Sequence, residues 1–235
     1  MNSQSATVTL EVFDIKLTIE PGFWGTLAAL WAVMTWMAGR GHSERSFLAR
    51  LCIGFVAVIV MIPADLAHAF AHTISARRAG APMDEIVLGM HMPHTLYYDN
   101  DVPPAAHRGR ALGGPIYSAT ALATDLATRQ ITPRDSVLHD LLGWSAAANA
   151  MIFVGSLMPL PFVDGGSILK WTLVERGLTV EEAERVVLQT DLGLGAAAAV
   201  AGVGLVATGR RLAGVGAIAA AGFLAAVRLS KIKQI

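Results

Sequence analysis

Two histidines in an otherwise apolar segment are the residues of this chain best suited to chemistry. His68 and His72 are four residues apart, and Asp65 precedes the first of them by three. On a helix, residues with these spacings lie on one face, about one turn apart. Two imidazoles in that arrangement can bind one zinc ion. The spacing therefore predicts a helical metal site at His68 and His72, with Asp65 close to it.

The general base that usually accompanies such a histidine pair is absent. In the zinc-peptidase motif the residue after the first histidine is Glu, whereas here it is Ala69. Asp65 is the other carboxylate on the predicted helix, and three roles are open for it. It could stabilise a helix that starts after Pro63, accept a hydrogen bond from His68, or act as a substitute base. The base role is disfavoured because Asp is shorter than Glu and helical side chains lean toward the N-terminus.

The composition is that of an integral membrane protein. The 235 residues are 54% hydrophobic and 15% charged, whereas a soluble domain carries about 25% charged residues. Apolar runs long enough to cross a bilayer recur along the chain. The net charge is zero, so nothing indicates a nucleic-acid partner. The single Cys52 excludes an intrachain disulfide.

Periodicity predicts an α-helical membrane protein with about six transmembrane helices and a small β element. Residues 6–20 alternate with a period of two, and the phase changes near Phe13, which indicates a bulge or turn. Residues 82–104 contain short strands that could pair with this segment, and His91 and His94 there are expected to be solvated. Pro63 predicts a kink or break in the second span. Residues 175–189 are predicted to form an interfacial helix. The predicted spans are 23–37, 47–76, 111–127, 137–160, 192–208 and 212–229.

The distribution of Lys and Arg predicts the orientation. With both termini in the cytoplasm, eleven of the 18 Lys and Arg residues lie on the cytoplasmic side and seven on the other. Cytoplasmic loops carry the excess of basic residues. We therefore expect both termini to be cytoplasmic.

Asp164 is a third candidate ligand. It follows another apolar span, between a Pro-Leu-Pro turn and two glycines. An ionisable residue at membrane depth usually has a function or a partner. His68, His72 and Asp164 would supply three zinc ligands and leave a fourth position open.

These motifs, in this order, resemble the site-2 protease family of intramembrane zinc metalloproteases. The resemblance is carried by His68-x-x-x-His72, Gly113-Gly114-Pro115 and the run from Pro159 to Gly166. It implies that His68, His72 and Asp164 bind one zinc ion and that a small sheet follows the first motif. We expect a single membrane domain over residues 1–235, comprising a strand region (1–20), a metalloprotease-like core (60–170) and a C-terminal transmembrane hairpin (190–230).

Three positions depart from the family pattern. Ala69 replaces the catalytic Glu, and Ser118 and Ser156 stand where Asn is usual. These departures favour a zinc-binding pseudoprotease that holds transmembrane or membrane-proximal protein segments without efficient cleavage. One alternative is an active metalloendopeptidase in which Ala69 is an engineered inactivation or another base serves. The other is a metal-free membrane assembly factor. The expected location is the cytoplasmic membrane of a prokaryote. The chain could also form a homo-oligomer.

Overall fold

A computed structural model describes residues 7–40, 42–90 and 93–232, so His91 lies outside the described residues. The chain divides into two compact units, Met1–Leu157 and Met158–Ile235. The elements of the first unit are β1 (Val8–Val12), β2 (Ile15–Ile19), α1 (Gly22–Gly39), α2 (Phe47–Arg78), β3 (Glu85–Leu88), β4 (His94–Leu96), α3 (Pro104–Ile131) and α4 (Val137–Ser156). Those of the second are α5 (Asp164–Glu175), α6 (Val180–Ala207) and α7 (Arg211–Ile232).

The phase change near Phe13 is a tight turn between two strands. Phe13 and Asp14 have φ values of 52° and 58°, as both central residues of a type I′ hairpin turn require. The sheet order is β1-β2-β3-β4, with β2 parallel to β3 and the other two pairs antiparallel. The predicted pairing of the N-terminal segment with residues 82–104 is therefore confirmed.

One face of the sheet forms the apolar core of the first unit. Ile15 and Leu17 of β2 and Ile86 of β3 are almost fully buried, in one cluster with Ala69 and Ala76 of α2. Burying a large aliphatic side chain contributes about 1.5–3 kcal/mol to stability. This packing fixes the sheet to the helix that carries the two histidines.

α2 runs without interruption through Pro63, so the predicted break there is wrong. The helix begins after Ser46, whose hydroxyl oxygen accepts a hydrogen bond from the amide of Ala49 at 3.2 Å. A proline removes one helical hydrogen bond, which membrane helices tolerate when neighbouring elements compensate. As a consequence, Asp65 lies in the interior of α2 and not in a first turn, which removes the expected role at a helix start.

The second unit contains a helix that the sequence analysis did not predict. α5 occupies Asp164–Glu175, and Gly177 (φ 101°) makes the turn after it. The interfacial helix expected over residues 175–189 is wrong at its start, because α6 begins at Val180 behind a capping box of Thr179 and Glu182. α6 then continues through the predicted fifth span.

By length and composition, three helices of the described chain could cross a membrane, namely α2, α4 and α6. α7 has a shorter apolar stretch, Arg211–Gly222. The count of six spans stays a prediction.

Candidate metal centre

The two predicted histidines converge on one point. His68 and His72 are both buried, and their Nε2 atoms lie 3.3 Å apart. Two nitrogens bound at about 2.0–2.1 Å to one tetrahedral zinc would be separated by about 3.3–3.4 Å. The rings are nearly perpendicular, at 79°. The histidine pair therefore has the spacing that a shared zinc ion requires.

Both imidazoles are held at Nδ1 by groups on α3. His72 Nδ1 lies 2.8 Å from the carbonyl oxygen of Arg110, and His68 Nδ1 lies 2.9 Å from the hydroxyl oxygen of Ser118. A carbonyl oxygen can only accept, so His72 carries its proton on Nδ1 and donates it. The longer 3.4 Å contact from the amide of Gly114 to the same nitrogen is then not a hydrogen bond. With Nδ1 of His72 protonated, its Nε2 presents a lone pair suited to a metal. The Ser118 hydroxyl can accept from His68 Nδ1 in the same way, which is the tautomer that metal binding through His68 Nε2 requires.

Gly114 keeps the space beside these nitrogens open. A Cβ at this position would lie 2.3 Å from Nε2 of His68 and 2.4 Å from Nε2 of His72. The neighbouring Gly113 faces α2 just as closely, because its Cβ would lie 2.4 Å from the carbonyl oxygen of Ala71. The two glycines let α3 approach α2 and keep a side chain out of the space beside the two Nε2 atoms.

Arg110 connects this centre to the sheet. Its Nε donates to the carbonyl oxygen of Ala81 at 2.8 Å, and its guanidinium lies 4.5 Å from the centroid of the Tyr97 ring. Its own carbonyl oxygen accepts from His72 and, at 3.2 Å, from the hydroxyl of Ser75. Arg110 is buried. The sequence analysis did not single out Arg110, because nothing in the local pattern indicates that its backbone carbonyl contacts a candidate ligand.

Asp164 is the first residue of α5 in the second unit and is half-buried. A carboxylate is favoured at a helix N-terminus. The turn before it depends on Gly166, since a Cβ there would lie 1.8 Å from the carbonyl oxygen of Leu160. The Pro-Leu-Pro and Gly-Gly runs thus serve a local purpose, which is to start a helix at Asp164.

The chain is 30% identical over 212 residues to the "Putative zinc metalloprotease Rip3" of Mycobacterium tuberculosis, in strains Erdman and H37Rv. The match covers 84% of this chain and 49% of the relative, so the chain spans about half the length of the curated relatives it matches. No protein-family model matches it. The fold is that of the site-2 protease from Methanocaldococcus jannaschii, with a TM-score of 0.58 and 14% identity over 92% of this chain and 94% of that one.

The homology to this zinc metalloprotease and the shared fold together support the site-2 protease family as the family of this chain. Homology to zinc metalloproteases, together with the apolar helices, makes it an integral membrane protein of metalloprotease descent. Zinc is the metal that this relationship implies, and the spacing of the histidine pair and the tautomer of His72 fit it.

Ser118 and Ser156, which depart from the family pattern, each make a hydrogen bond in this site-2 protease homologue. Ser118 is completely buried and holds His68. Ser156 lies at the end of α4, where its hydroxyl donates to the carbonyl oxygen of Phe153 at 3.2 Å. Ser118 thus supplies a hydrogen-bond partner for a ligand, whereas Ser156 caps its own helix.

The two candidate acid–base positions differ in their surroundings. Ala69 is 3% exposed and belongs to the apolar cluster beneath the sheet. Nδ1 of His68 has Ser118 as a partner at 2.9 Å. The hydrogen bond from His68 to Asp65 stays a prediction.

Proposed function

We propose that this site-2 protease homologue is a zinc-binding pseudoprotease that holds segments of membrane proteins without efficient cleavage. The proposal rests on one observation: two histidines are spaced to bind zinc, and alanine occupies the position of the catalytic base. The Nε2 atoms of His68 and His72 are spaced for one zinc ion, and the residue between them that should be the base is Ala69. The whole protein's activity is part of this proposal, since the chain spans about half of its curated relatives.

His68, His72 and Asp164 are the residues that would hold the ion. Two imidazoles and one carboxylate make a donor set typical of zinc, with one position left for another ligand. When bound, zinc supplies Lewis-acid activation of water and carbonyl groups. The chain's own contribution is to hold both rings at Nδ1, through the Ser118 hydroxyl for His68 and through the Arg110 carbonyl oxygen for His72, which also fixes the tautomer of His72.

Ala69 cannot move a proton. Its side chain is a methyl group buried among aliphatic residues, so it can neither accept a proton nor donate one to a leaving amine. General acid–base assistance typically contributes about 10²- to 10⁴-fold to a rate. A chain that binds zinc and substrate normally but lacks this assistance would retain a protein segment far longer than it would cut one.

An active metalloendopeptidase is the second candidate, and Asp65 is the observation that favours it. Asp65 is a carboxylate one turn before Ala69 on the same helix. It could accept a proton only if its shorter side chain reached the reacting water directly or through another water. If Ala69 is instead an engineered change, activity returns with Glu at that position.

The proposed partner is an extended or helical segment of a membrane protein. β1 is an edge strand of the sheet in the described part of the chain, and Val8–Glu11 are exposed. An extended peptide can add to such an edge as a further strand. The partners are thus membrane-embedded or membrane-proximal protein segments and the lipid bilayer, with no role for nucleic acid.

The proposal includes a six-span arrangement of α1, α2, α3, α4, α6 and α7, and the sheet supports its first two spans. β2 and β3 pair in parallel within one sheet, so residues 15–19 and 85–88 lie on the same side of any membrane. The chain between them must therefore cross an even number of times. α2 is long and apolar enough to cross, and α1 is the other helix in that interval. We place the sheet and both termini in the cytoplasm, and the protein in the cytoplasmic membrane of a prokaryote.

Metal analysis combined with a cleavage assay tests this function. The purified full chain should contain about one zinc per chain, and His68→Ala, His72→Ala and Asp164→Ala should each lower that content. Cleavage of a transmembrane reporter substrate should be undetectable, although the same reporter should co-purify with the chain. Cleavage by the unaltered chain would establish the peptidase instead. A chain without zinc that still retains the reporter would be a metal-free assembly factor.

A further inference from the structure

An open groove lies where α1 and α2 meet near the α1–α2 turn. Its volume is about 630 Å³. Its walls are largely apolar and include Ala28, Trp31, Ala32, Trp36, Phe47 and Leu51. Trp36 and Phe47 are also strongly exposed beside the groove. Aromatic side chains in this position are typical of the boundary between the hydrocarbon core and the lipid headgroups.

The groove is held open by contacts beneath it. Gly54 of α2 lies against Thr35 of α1, since a Cβ at Gly54 would lie 2.5 Å from Thr35 Oγ1 and 2.7 Å from its backbone nitrogen. The indole Nε1 of Trp31 donates across to the carbonyl oxygen of Leu51 at 2.9 Å. The close contact between Gly54 and Thr35 holds α1 and α2 together, and the hydrogen bond to Leu51 fixes the Trp31 side chain in the groove wall. The groove is a formed feature of the helix pair and needs no induced opening.

Two guanidinium groups stand among the lining residues. Arg50 is fixed by hydrogen bonds from Nε to the carbonyl oxygen of Arg45 at 2.9 Å and from Nη2 to that of Ser43 at 3.3 Å. Arg40 lies over the Trp36 ring, 4.7 Å from its centroid. Within the described part of the chain, neither arginine makes an ion pair with a carboxylate. The groove therefore combines apolar walls with positive charge that protein groups leave uncompensated.

We propose that this groove binds an anionic phospholipid, with an acyl chain between α1 and α2 and the phosphate beside Arg40 and Arg50. Guanidinium groups pair well with phosphate oxygens, and their apolar stems pack along the groove. A soluble anion would use only the arginines and leave the apolar walls without a partner. A zwitterionic lipid would fill the walls but gain less from the charges, because its headgroup carries its own cation. The lipid would brace the α1–α2 pair independently of zinc binding.

The test distinguishes the contribution of the groove's charge to lipid binding from the contribution of its shape. The full chain in detergent is mixed with phosphatidylglycerol or phosphatidylcholine, and retained lipid is counted by native mass spectrometry. Arg40→Gln should weaken phosphatidylglycerol retention by about fivefold, the effect of one basic residue near anionic lipid. Ala32→Phe keeps both charges but fills the groove, and it should abolish retention. Ala123→Phe, at an exposed alanine on α3, is the matched control and should behave like the unaltered chain.

Thermal unfolding in detergent verifies that each variant is folded. Ala32 is exposed in the groove, so the larger side chain has room without displacing the core. Equal retention of the two lipids would overturn the proposal. So would unchanged phosphatidylglycerol retention in both Arg40→Gln and Ala32→Phe, since the lipid would then bind elsewhere on the chain.

Discussion

The hydroxyl oxygen of Ser118 on α3 lies 2.9 Å from Nδ1 of His68 on α2, fifty residues earlier in the chain. Ser118 is completely buried, so this contact is not exchanged with water. It holds the ring at Nδ1, and Nε2 lies 3.3 Å from Nε2 of His72. A residue that departs from the family pattern in type has thus kept a positioning role for a ligand.

Removing that hydroxyl should weaken metal binding. Ser118→Ala leaves His68 without its partner on α3, and loss of such outer partners typically lowers metal affinity by about 10- to 100-fold. Zinc affinity is measured by competition with a chromophoric chelator. Thr124→Ala is the control, because its hydroxyl bonds only within α3, to the carbonyl oxygen of Thr120. Equal affinities in the two variants would show that Ser118 does not position the ring.

A single methyl group at position 114 should empty the metal centre. In Gly114→Ala the new Cβ would lie within 2.4 Å of Nε2 of both histidines, so rings and ion cannot keep their positions. We expect zinc content to fall below about a tenth of the original, since displaced ligands cost affinity at least as much as lost outer partners. Gly155→Ala is the matched control, because nothing lies within 4 Å of its Cβ. Full zinc occupancy in Gly114→Ala would place the ion elsewhere.

Restoring the missing carboxylate should restore turnover. Ala69→Glu places a general base between the histidines, and cleavage of a transmembrane reporter should rise by about 10²- to 10⁴-fold above the parent. Ala69→Gln has nearly the same volume in the same apolar surroundings and should remain inactive, which separates base chemistry from packing. Asp65→Asn addresses the alternative base. Measurable cleavage by the parent that disappears in Asp65→Asn would refute the pseudoprotease proposal.

Acid should loosen the sheet through Glu85. Hydrogen bonds from Thr18, Tyr98 and Lys16 hold the pKa of this buried carboxyl below its usual value, the Thr18 hydroxyl having the largest effect. A lowered folded-state pKa means that the stabilisation is complete above the unfolded value of about 4.3 and is lost as the pH falls through the folded value. The acid limb of thermal stability in detergent should therefore depend on Glu85.

Glu85→Gln should flatten that limb and lower the unfolding free energy at neutral pH by about 1–3 kcal/mol, the usual cost of disturbing a buried hydrogen-bonded group. Glu181→Gln, at an exposed carboxylate on α6, should leave the profile unchanged. At alkaline pH the dependence is reversed, and stability falls as the pH rises. The bond to Glu85 raises the pKa of Tyr98, so its contribution is present below about pH 10 and is lost above it. An acid limb unaltered by Glu85→Gln would contradict this assignment.

Local patterns predicted the features that depend on neighbouring residues. The i, i+4 spacing placed His68 and His72 on one face, and the change of phase at Phe13 indicated the hairpin. What could not be predicted depends on residues far apart in the chain. The hydrogen bond from His72 to the Arg110 carbonyl arises only when α3 packs on α2. Proline propensity likewise predicted a kink or break at Pro63, whereas α2 continues through that residue.

The parallel pairing of β2 with β3 has a consequence for how the molecule is made. Lys16 and its partner Glu85 are 69 residues apart, with α1 and α2 between them. A ribosome releases the β1–β2 hairpin long before β3 exists, so the inner edge of β2 is left without a neighbour while two helices are still being synthesised. An isolated hairpin with an open edge is marginal in water and prone to join other chains. Closure of this sheet must therefore wait until α1 and α2 have been synthesised, and a delay before β3 is released leaves the nascent chain exposed to aggregation.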